Sequence, residues 1–355
     1  MARVIFWAAF VGMLYVYAGY PVLLAIWRRL APRPIHKRHY SLGQGRSEPT
    51  VSIVVVMGNE STNVLEKMRN CMELDYPAGK LQIIASLDAP TDGTDALARQ
   101  CQGVEVVCSQ ARIGKAGALN NGVERATGEI LLFADSRQHF EKRALREIVA
   151  NFADESVGAV SGELILLDER GREASDGAGA YWRYEKKIRA MESAIHSVPG
   201  ATGAIYAIRR ELFVPLSGGI ILDDVVIPMQ IVLGGWRAVF DSAARAYDSA
   251  TESPEREYQR KTRTLAGNYQ LLVELPALLL PWRNPIFVQF VSHKLGRLLV
   301  PYGLAAFFIS NLFLTGAFYR TVLAGQAVWY LLAVVGWLLS TERQTHPAAI
   351  SNPEA

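Results

Sequence analysis

Three apolar runs in this chain end in aspartate. Ile83–Leu87 leads into Asp88, Ile130–Ala134 into Asp135, and Gly219–Leu222 into the pair Asp223-Asp224. A carboxylate at the end of an apolar strand is costly unless it binds something. Such groups can hold a divalent cation, accept a proton from a hydroxyl, or hydrogen-bond a polar ligand. Any one of them alone reads equally well as a turn former or a helix N-cap. All three together, with Lys115 and a distal Arg263, make that structural reading much weaker and mark a candidate site.

The elements that must position these groups alternate. Strands are expected at Val51–Val56, Gln82–Leu87, Val104–Val107 and Glu129–Ala134. Helices are expected between and after them, near Thr62–Met72, Asp95–Gln100, Ala116–Arg125 and Lys142–Phe152. Short β-branched runs alternating with helices predict an α/β fold with a mostly parallel sheet and right-handed crossovers. Ligands of such sheets sit at the carboxyl ends of the strands, where Asn59, Glu60, Asp88 and Asp135 fall. The second half is less regular. Val157–Ser161, Glu163–Leu167 and Gly203–Ile208 read as strands, and Arg237–Phe240 as an edge strand. Ala178–Ser197, Asp224–Leu233 and Pro254–Leu275 read as helices, the last with Pro at a helix start.

Several chemistries are absent. No G-x-G-x-x-G follows the first strand, and Gly114-Lys115 lacks both the preceding Gly and the following Ser/Thr of a P-loop. There is no H-E-x-x-H, G-x-S-x-G or kinase signature. The charge sum of 37 − 34 = +3 is too small to make nucleic acid the main partner. Cys71, Cys101 and Cys108 are odd in number without C-x-x-C spacing, and read as reduced thiols of a cytosolic domain. Half of the 355 residues are hydrophobic and a fifth are charged. Mean hydropathy is +0.12, which suggests one sizeable water-facing domain plus a few apolar segments.

The motifs stand in an order that resembles the family 2 glycosyltransferases, and most of all the membrane-embedded members related to cellulose and hyaluronan synthases. The resemblance runs from about Val51 to Gln270 and implies a GT-A, Rossmann-like domain. Val51–Glu60 resembles the opening strand whose Asn-Glu end meets the nucleoside. Leu87-Asp88 with Asp92-Gly-Thr-Asp95 resembles the second nucleotide-binding segment. Gly114-Lys-Ala-Gly-Ala-Leu-Asn120 resembles the segment beside the diphosphate. Phe133-Ala-Asp-Ser-Arg137 stands where the family has D-x-D, and Ala201-Thr-Gly-Ala204 at the acceptor-side loop. Leu222-Asp-Asp224 stands where the family has Thr-Glu-Asp, and Arg260-Lys-Thr-Arg-Thr264 where polymerising members have Q-x-x-R-W.

The resemblance implies a role for each position. Asp224 is the base, with Asp223 orienting it. Asp135 coordinates Mg2+ or Mn2+ on the donor side. Asn59, Glu60 and Asp88 contact the nucleoside, Lys115 and Arg263 the diphosphate. Asn120, Arg137, Thr202, Gly203 and Arg260 complete the substrate-binding set. A direct attack on the donor inverts the anomeric configuration. Two departures bear on this. Arg137 replaces the second Asp of D-x-D, leaving one carboxylate for a metal; Arg137 either pairs with phosphate oxygens or is salt-bridged to Asp135. Thr264 replaces the Trp that offers a stacking surface to an acceptor sugar. Tyr258, Tyr269, Trp182 or Trp236 could offer another.

Three uncharged runs frame the domain: Val4–Trp27 with 24 residues, Leu298–Tyr319 with 22 and Thr321–Thr341 with 21. About 20 helical residues cross a bilayer core. Val4–Trp27 exceeds the ~7–15 apolar residues of a signal peptide and has no small-residue cleavage site. Arg28, Arg29, Arg33, Lys37 and Arg38 follow it without an acid, so the N-terminus is expected outside and the domain in the cytosol, at a bacterial inner membrane. The expected organisation is a membrane helix over residues 1–30, a basic linker 31–50 and the transferase domain 51–275. An interfacial amphipathic helix 276–297, two membrane helices 298–341 turning at Arg320, and a polar tail 342–355 follow. The amphipathic stretch reads equally well as an extension of the next span.

The leading expectation is an inverting transferase moving a sugar, from UDP by resemblance, onto a growing cell-envelope or extracellular polysaccharide. The alternatives are single-sugar transfer to a polyprenyl phosphate or glycolipid, and an inactive glycosyltransferase-like scaffold. Three spans are few for an extrusion channel, so a homo-oligomer or a partner membrane protein is a further expectation.

Overall fold

The computed structural model describes residues 1–39, 48–168, 170–173, 177–249 and 254–345. Part of the expected basic linker (40–47) and most of the expected polar tail (346–355) lie outside the described residues. The chain divides into two units, Tyr20–Leu295 and a second made of Met1–Gly19 with Gly296–Ala355.

The larger unit is built on an eight-stranded sheet. Its strands are β1 (Val51–Met57), β2 (Leu81–Leu87), β3 (Val104–Cys108), β4 (Ile130–Ala134), β5 (His139–Phe140), β6 (Val157–Leu167), β7 (Tyr206–Arg209) and β8 (Arg237–Ser249). The order is β3-β2-β1-β4-β7-β6-β8-β5. The first four strands are mutually parallel, β7 runs antiparallel to both β4 and β6, and β8 is parallel to β6. The alternating half of the sequence thus makes the parallel half of the sheet, as crossover helices require.

Alternate residues of β1 feed two cores. Ile53 and Val55 pack with Met68, Cys71, Leu145 and Ile148 from helices Val64–Met72 and Ala144–Asn151. Val54 packs with Ile84, Leu119, Val225 and Met229 on the other face, under helices Gly114–Arg125 and Asp223–Leu233. This two-face burial explains why β1 reads as a continuous apolar run without alternation.

Three expectations are corrected here. Val157–Ser161 and Glu163–Leu167 are one strand, interrupted by a register shift between Ser161 and Glu163. Arg237–Phe240 continues to Ser249: its first part pairs with β6 alone, and only Ala246 and Tyr247, beyond the expected end, are covered by the two-residue β5. Its second half, Asp241–Ser249, carries polar residues that hide the strand period. The turn expected at Arg320 lies earlier: helix Gly296–Asn311 ends there, and Ala317–Thr345 begins after Gly316 at φ 118°.

Among the described residues, Ala2–Leu30 and Ala317–Gly336 are long and apolar enough to cross a membrane. Gly296–Asn311 has 16 helical residues, fewer than the two others. Helical residues run on from Phe287 through a π-turn (Phe290–Leu295) into that helix, so the amphipathic stretch joins the next helix. Within the smaller unit, Phe6 lies 4.4 Å from Phe307 and Trp7 stacks on Phe318 at 5.9 Å.

Candidate active site

The site forms where β1, β2 and β4 end, closed by the 200–203 loop and the start of helix Asp223–Leu233. At the end of β2, the Asp88 carboxylate accepts hydrogen bonds from the backbone N–H of Ile113 (2.7 Å) and Gly114 (3.1 Å). It therefore fixes the N-terminus of helix Gly114–Arg125, whose second residue is Lys115. The residue after Asp88, Ala89, is held at φ 41°, a left-handed conformation that an alanine seldom adopts.

Asn59 and Glu60 lie beyond β1 and brace the same rim. Asn59 Oδ1 accepts from the Thr91 N–H at 2.8 Å, and the Glu60 N–H donates to Thr94 Oγ1 at 2.8 Å. Asp92 accepts from Thr94 and from the Ser61 N–H, and those bonds hold its carboxyl well below the usual carboxylate range.

Lys115 joins the halves of the site. Its Nζ lies 2.9 Å from Asp135 at the end of β4 and 2.9 Å from Asp223. Burial opposes its charge, but Asp223, Asp135 and Asp224 together hold the ammonium above its ordinary range. Asp223 is almost wholly buried and also accepts a hydrogen bond from the Tyr206 hydroxyl at 3.0 Å. Burial first, then the Asp223 charge, lift that phenol well above its usual value.

Asp224 stands opposite. Its Oδ2 accepts from the Gly203 N–H at 2.9 Å, and its carbonyl accepts from the Ala201 N–H at 2.8 Å. Gly203 sits between the two carboxylates: a Cβ added there would lie 3.3 Å from Asp135 Oδ2 and 3.4 Å from Asp224 Oδ2. Burial and the neighbouring Asp223 raise the Asp224 carboxyl to about 6, against the pull of Lys115 and Lys294. A carboxylate poised near neutral pH is a better proton acceptor than an ordinary one.

The other expected positions are engaged differently, some on loops next to this centre and some turned to partners of their own. Thr202 is anchored through its N–H to Ser161 Oγ at 3.1 Å. Asn120 places its amide on both backbone groups of Leu216, at 2.9 Å each, and so pins the 216 loop. Arg137 is exposed, two residues beyond Asp135. Arg263 reaches the Ile221 carbonyl at 3.4 Å, just before the Asp223-Asp224 pair. Arg260 points to Glu257 in an ion pair on its own helix. Thr264 bonds back to the Arg260 carbonyl at 2.9 Å, so its short side chain is turned onto the helix.

Four residues near the centre escape sequence reading. Tyr206 looks like core of a strand. Arg189 lies on an amphipathic helix whose charges look solvated, and Lys294 in a stretch whose basic end looks interfacial. Lys67 is buried on helix Val64–Met72, donates to the Gln138 carbonyl at 2.7 Å, and lies 3.5 Å over the Phe140 ring. Its helical spacing from Val64 and Cys71, three residues before and four after, puts it on the apolar face and was the available signal for Lys67.

No group of three or more His, Cys, Asp or Glu side chains that could hold a metal occurs among the described residues. The donor set still fits a magnesium-like ion in one respect. Such ions are commonly held by one or two carboxylates with substrate phosphates and water, and Asp135 keeps a 39% exposed side chain at the strand end.

The curled, mostly parallel sheet with this acidic cluster at its strand ends has the GT-A fold. The mannosyltransferase of Pyrobaculum calidifontis, solved with GDP-Man and Mn2+, shares the fold with a TM-score of 0.74 at 22% identity, covering 93% of this chain and 92% of its own. Residues 52–215 match the sequence model of the family described as Glycosyl transferase family 2, so this part of the chain is similar to a family 2 glycosyltransferase domain. The β-monoglucosyldiacylglycerol synthase of Trichormus variabilis is 25% identical over 254 residues, 68% of this chain and 54% of that protein. The poly-β-1,6-N-acetyl-D-glucosamine synthase of Staphylococcus aureus is 22% identical over 239 residues, 63% of this chain and 55% of that protein. The chain thus spans about half the length of these curated relatives.

Proposed function

We propose that this chain transfers a single sugar, with inversion, from a nucleotide-sugar to a lipid-borne acceptor at a membrane surface. The observation that carries the reading is the pair of carboxylates facing one gap. Asp135 and Asp224 flank Gly203, with Lys115 bonded to Asp135 and Asp223 beside them. Asp224 takes the proton of the attacking hydroxyl. Lys115 and Arg263 neutralise the diphosphate as it departs. Asn59, Glu60 and Asp88 form the rim for the nucleoside, and Thr202 with Gly203 the acceptor side. Asp135 would hold a divalent ion, which supplies charge for the leaving diphosphate.

The lipid acceptor is favoured by Thr264, which offers no stacking face to a growing glycan, and by the apolar helices that flank the domain. The glycolipid product in the name of one relative agrees with it. A growing polysaccharide remains a second reading, supported by the name of the other. The test is radiolabel transfer from a panel of UDP- and GDP-sugars by the full chain in native membranes. Product of one added sugar supports the first reading, a ladder the second. Asp224→Asn should cut transfer by about 10²–10⁴-fold, the usual worth of a general base, while nucleotide binding persists. Undiminished transfer by that variant would falsify the assignment of the base.

A further inference from the structure

Beside Asp224 lie two cations that the transfer chemistry above does not use. Lys294 Nζ comes within 3.6 Å of a Cβ added at Gly200, on the loop that also presents Gly203 to Asp224. Among the described residues this ammonium has no hydrogen-bond or ion-pair partner. Arg189 faces the same loop: its Nη2 donates to Ser161 Oγ at 2.6 Å and to the Gly200 carbonyl at 3.4 Å. Its guanidinium lies 4.8 Å over the Phe240 ring, and it too has no carboxylate in ion-pair contact among the described residues.

The acids that could have neutralised them are engaged elsewhere. Glu185 and Glu192 clasp His293, at 3.1 and 2.8 Å, and Glu192 also accepts from the Tyr20 hydroxyl at 2.5 Å. Two cations kept side by side, without an ion-pair carboxylate, repel one another and are costly to desolvate. Burial lowers the Lys294 ammonium to about 8; Asp224, Glu185 and Glu192 favour its charge, and Arg189 opposes it. It therefore still carries its proton near neutral pH. An anion seated between the two would relieve the repulsion through charge-assisted bonds.

We propose that Lys294 and Arg189 form an anion subsite on the acceptor side of Asp224, one that takes the phosphate group of a phosphate-bearing lipid acceptor. The inference rests on the lipid-acceptor reading and narrows it. Lys294 stands two residues before the apolar helix Gly296–Asn311 in sequence, so the subsite lies on the stretch of chain that leads into an apolar helix. Lys115 serves the donor phosphates from the opposite end of the acidic cluster, where it is bonded to Asp135 and Asp223. Arg189 positions the 200–203 loop as well as contributing charge, so Lys294 is the residue to test first.

The experiment is equilibrium binding to the full chain in nanodiscs, which does not depend on transfer. The probes are a short radiolabelled polyprenyl monophosphate, the polyprenol of the same length, and a labelled nucleoside diphosphate. The expected result is that Lys294→Gln weakens polyprenyl phosphate binding at least tenfold, Lys294→Arg restores most of it, and polyprenol binding is unchanged. Nucleoside diphosphate binding, unaltered in both variants, certifies that the protein is folded. Equal affinity of wild type and Lys294→Gln for the phosphorylated lipid overturns the proposal. So does a tenfold loss confined to the nucleoside diphosphate, which would give the cations to the donor. Failure of the lipid-acceptor reading is separable, because it appears as absent transfer to every lipid while the binding contrast is read independently.

Discussion

At the scale of the residue, Asp224 must be ionised to accept a proton, so its carboxyl sets the acid side of the pH profile. Burial and Asp223 raise that carboxyl to about 6, and Lys115 and Lys294 pull it down. The expected kcat/KM therefore falls about tenfold per pH unit below 6 and is level above it. The neighbours predict opposite displacements. Asp223→Asn removes the negative charge next door and should move this limb to lower pH; Asn keeps an oxygen for the Tyr206 hydroxyl. Lys115→Met removes a positive charge and should move the limb to higher pH, besides slowing the departure of the diphosphate. A pH series on the three proteins checks this, and limbs that coincide would take Asp224 out of the proton transfer.

The acids of the site were visible in the sequence because they end apolar runs, where nothing local accounts for a charge. Asp135 and Asp224 needed the fold to bring β4 and helix Asp223–Leu233 to one gap. Lys294 and Tyr206 had no such signature. Each looks ordinary in its own segment and becomes functional only through contacts made across 17 or more positions of chain, as Tyr206 does with Asp223. Asn59, Asn120 and Asp88 illustrate the converse. Their hydrogen bonds brace the loops around the site, a second task that their positions alone did not reveal.

At the scale of the element, helix Pro254–Glu274 controls the approach to the Asp223-Asp224 pair. Gly267 is where it crosses the preceding loop: a Cβ there would fall 2.5 Å from Leu222 Cγ and 3.2 Å from Ile221 Cγ2. Gln270 adds two bonds to that loop, accepting from the Ile221 N–H at 3.0 Å and donating to the Gly219 carbonyl at 2.9 Å. Gly267→Ala should force the loop or the helix aside, costing about 1–3 kcal/mol in stability and lowering kcat more than donor affinity. Gly79→Ala, where nothing lies within 4 Å, is the control and should change neither thermal unfolding nor turnover. The parallel strands were legible because burial on both faces makes them continuous apolar runs. The antiparallel half was less so. The irregularity in β6 and the polar end of β8 disrupt the period from which strand boundaries are read, and the register is settled by pairing between distant segments.

At the scale of the molecule, the basic flank after the first apolar helix predicts which side of the membrane holds the catalytic domain. Arg28, Arg29, Arg33, Lys37 and Arg38 favour the cytosol by the positive-inside rule, leaving the N-terminus outside. The chain carries its own reporter of this. Of its three free thiols, Cys71 is buried, Cys101 is partly buried and Cys108 is exposed at the end of β3. Burial raises the first two thiols, making them poorer nucleophiles at neutral pH. A membrane-impermeant maleimide should therefore spare the wild-type protein in intact cells and label it at Cys108 once the membrane is opened. Ala2→Cys should add a site labelled in intact cells, and Cys108→Ser should abolish most of the labelling that appears on opening. Labelling of Cys108 in intact cells would reverse the orientation. It would also place the donor site away from the cytosolic nucleotide-sugars that the proposed transfer requires.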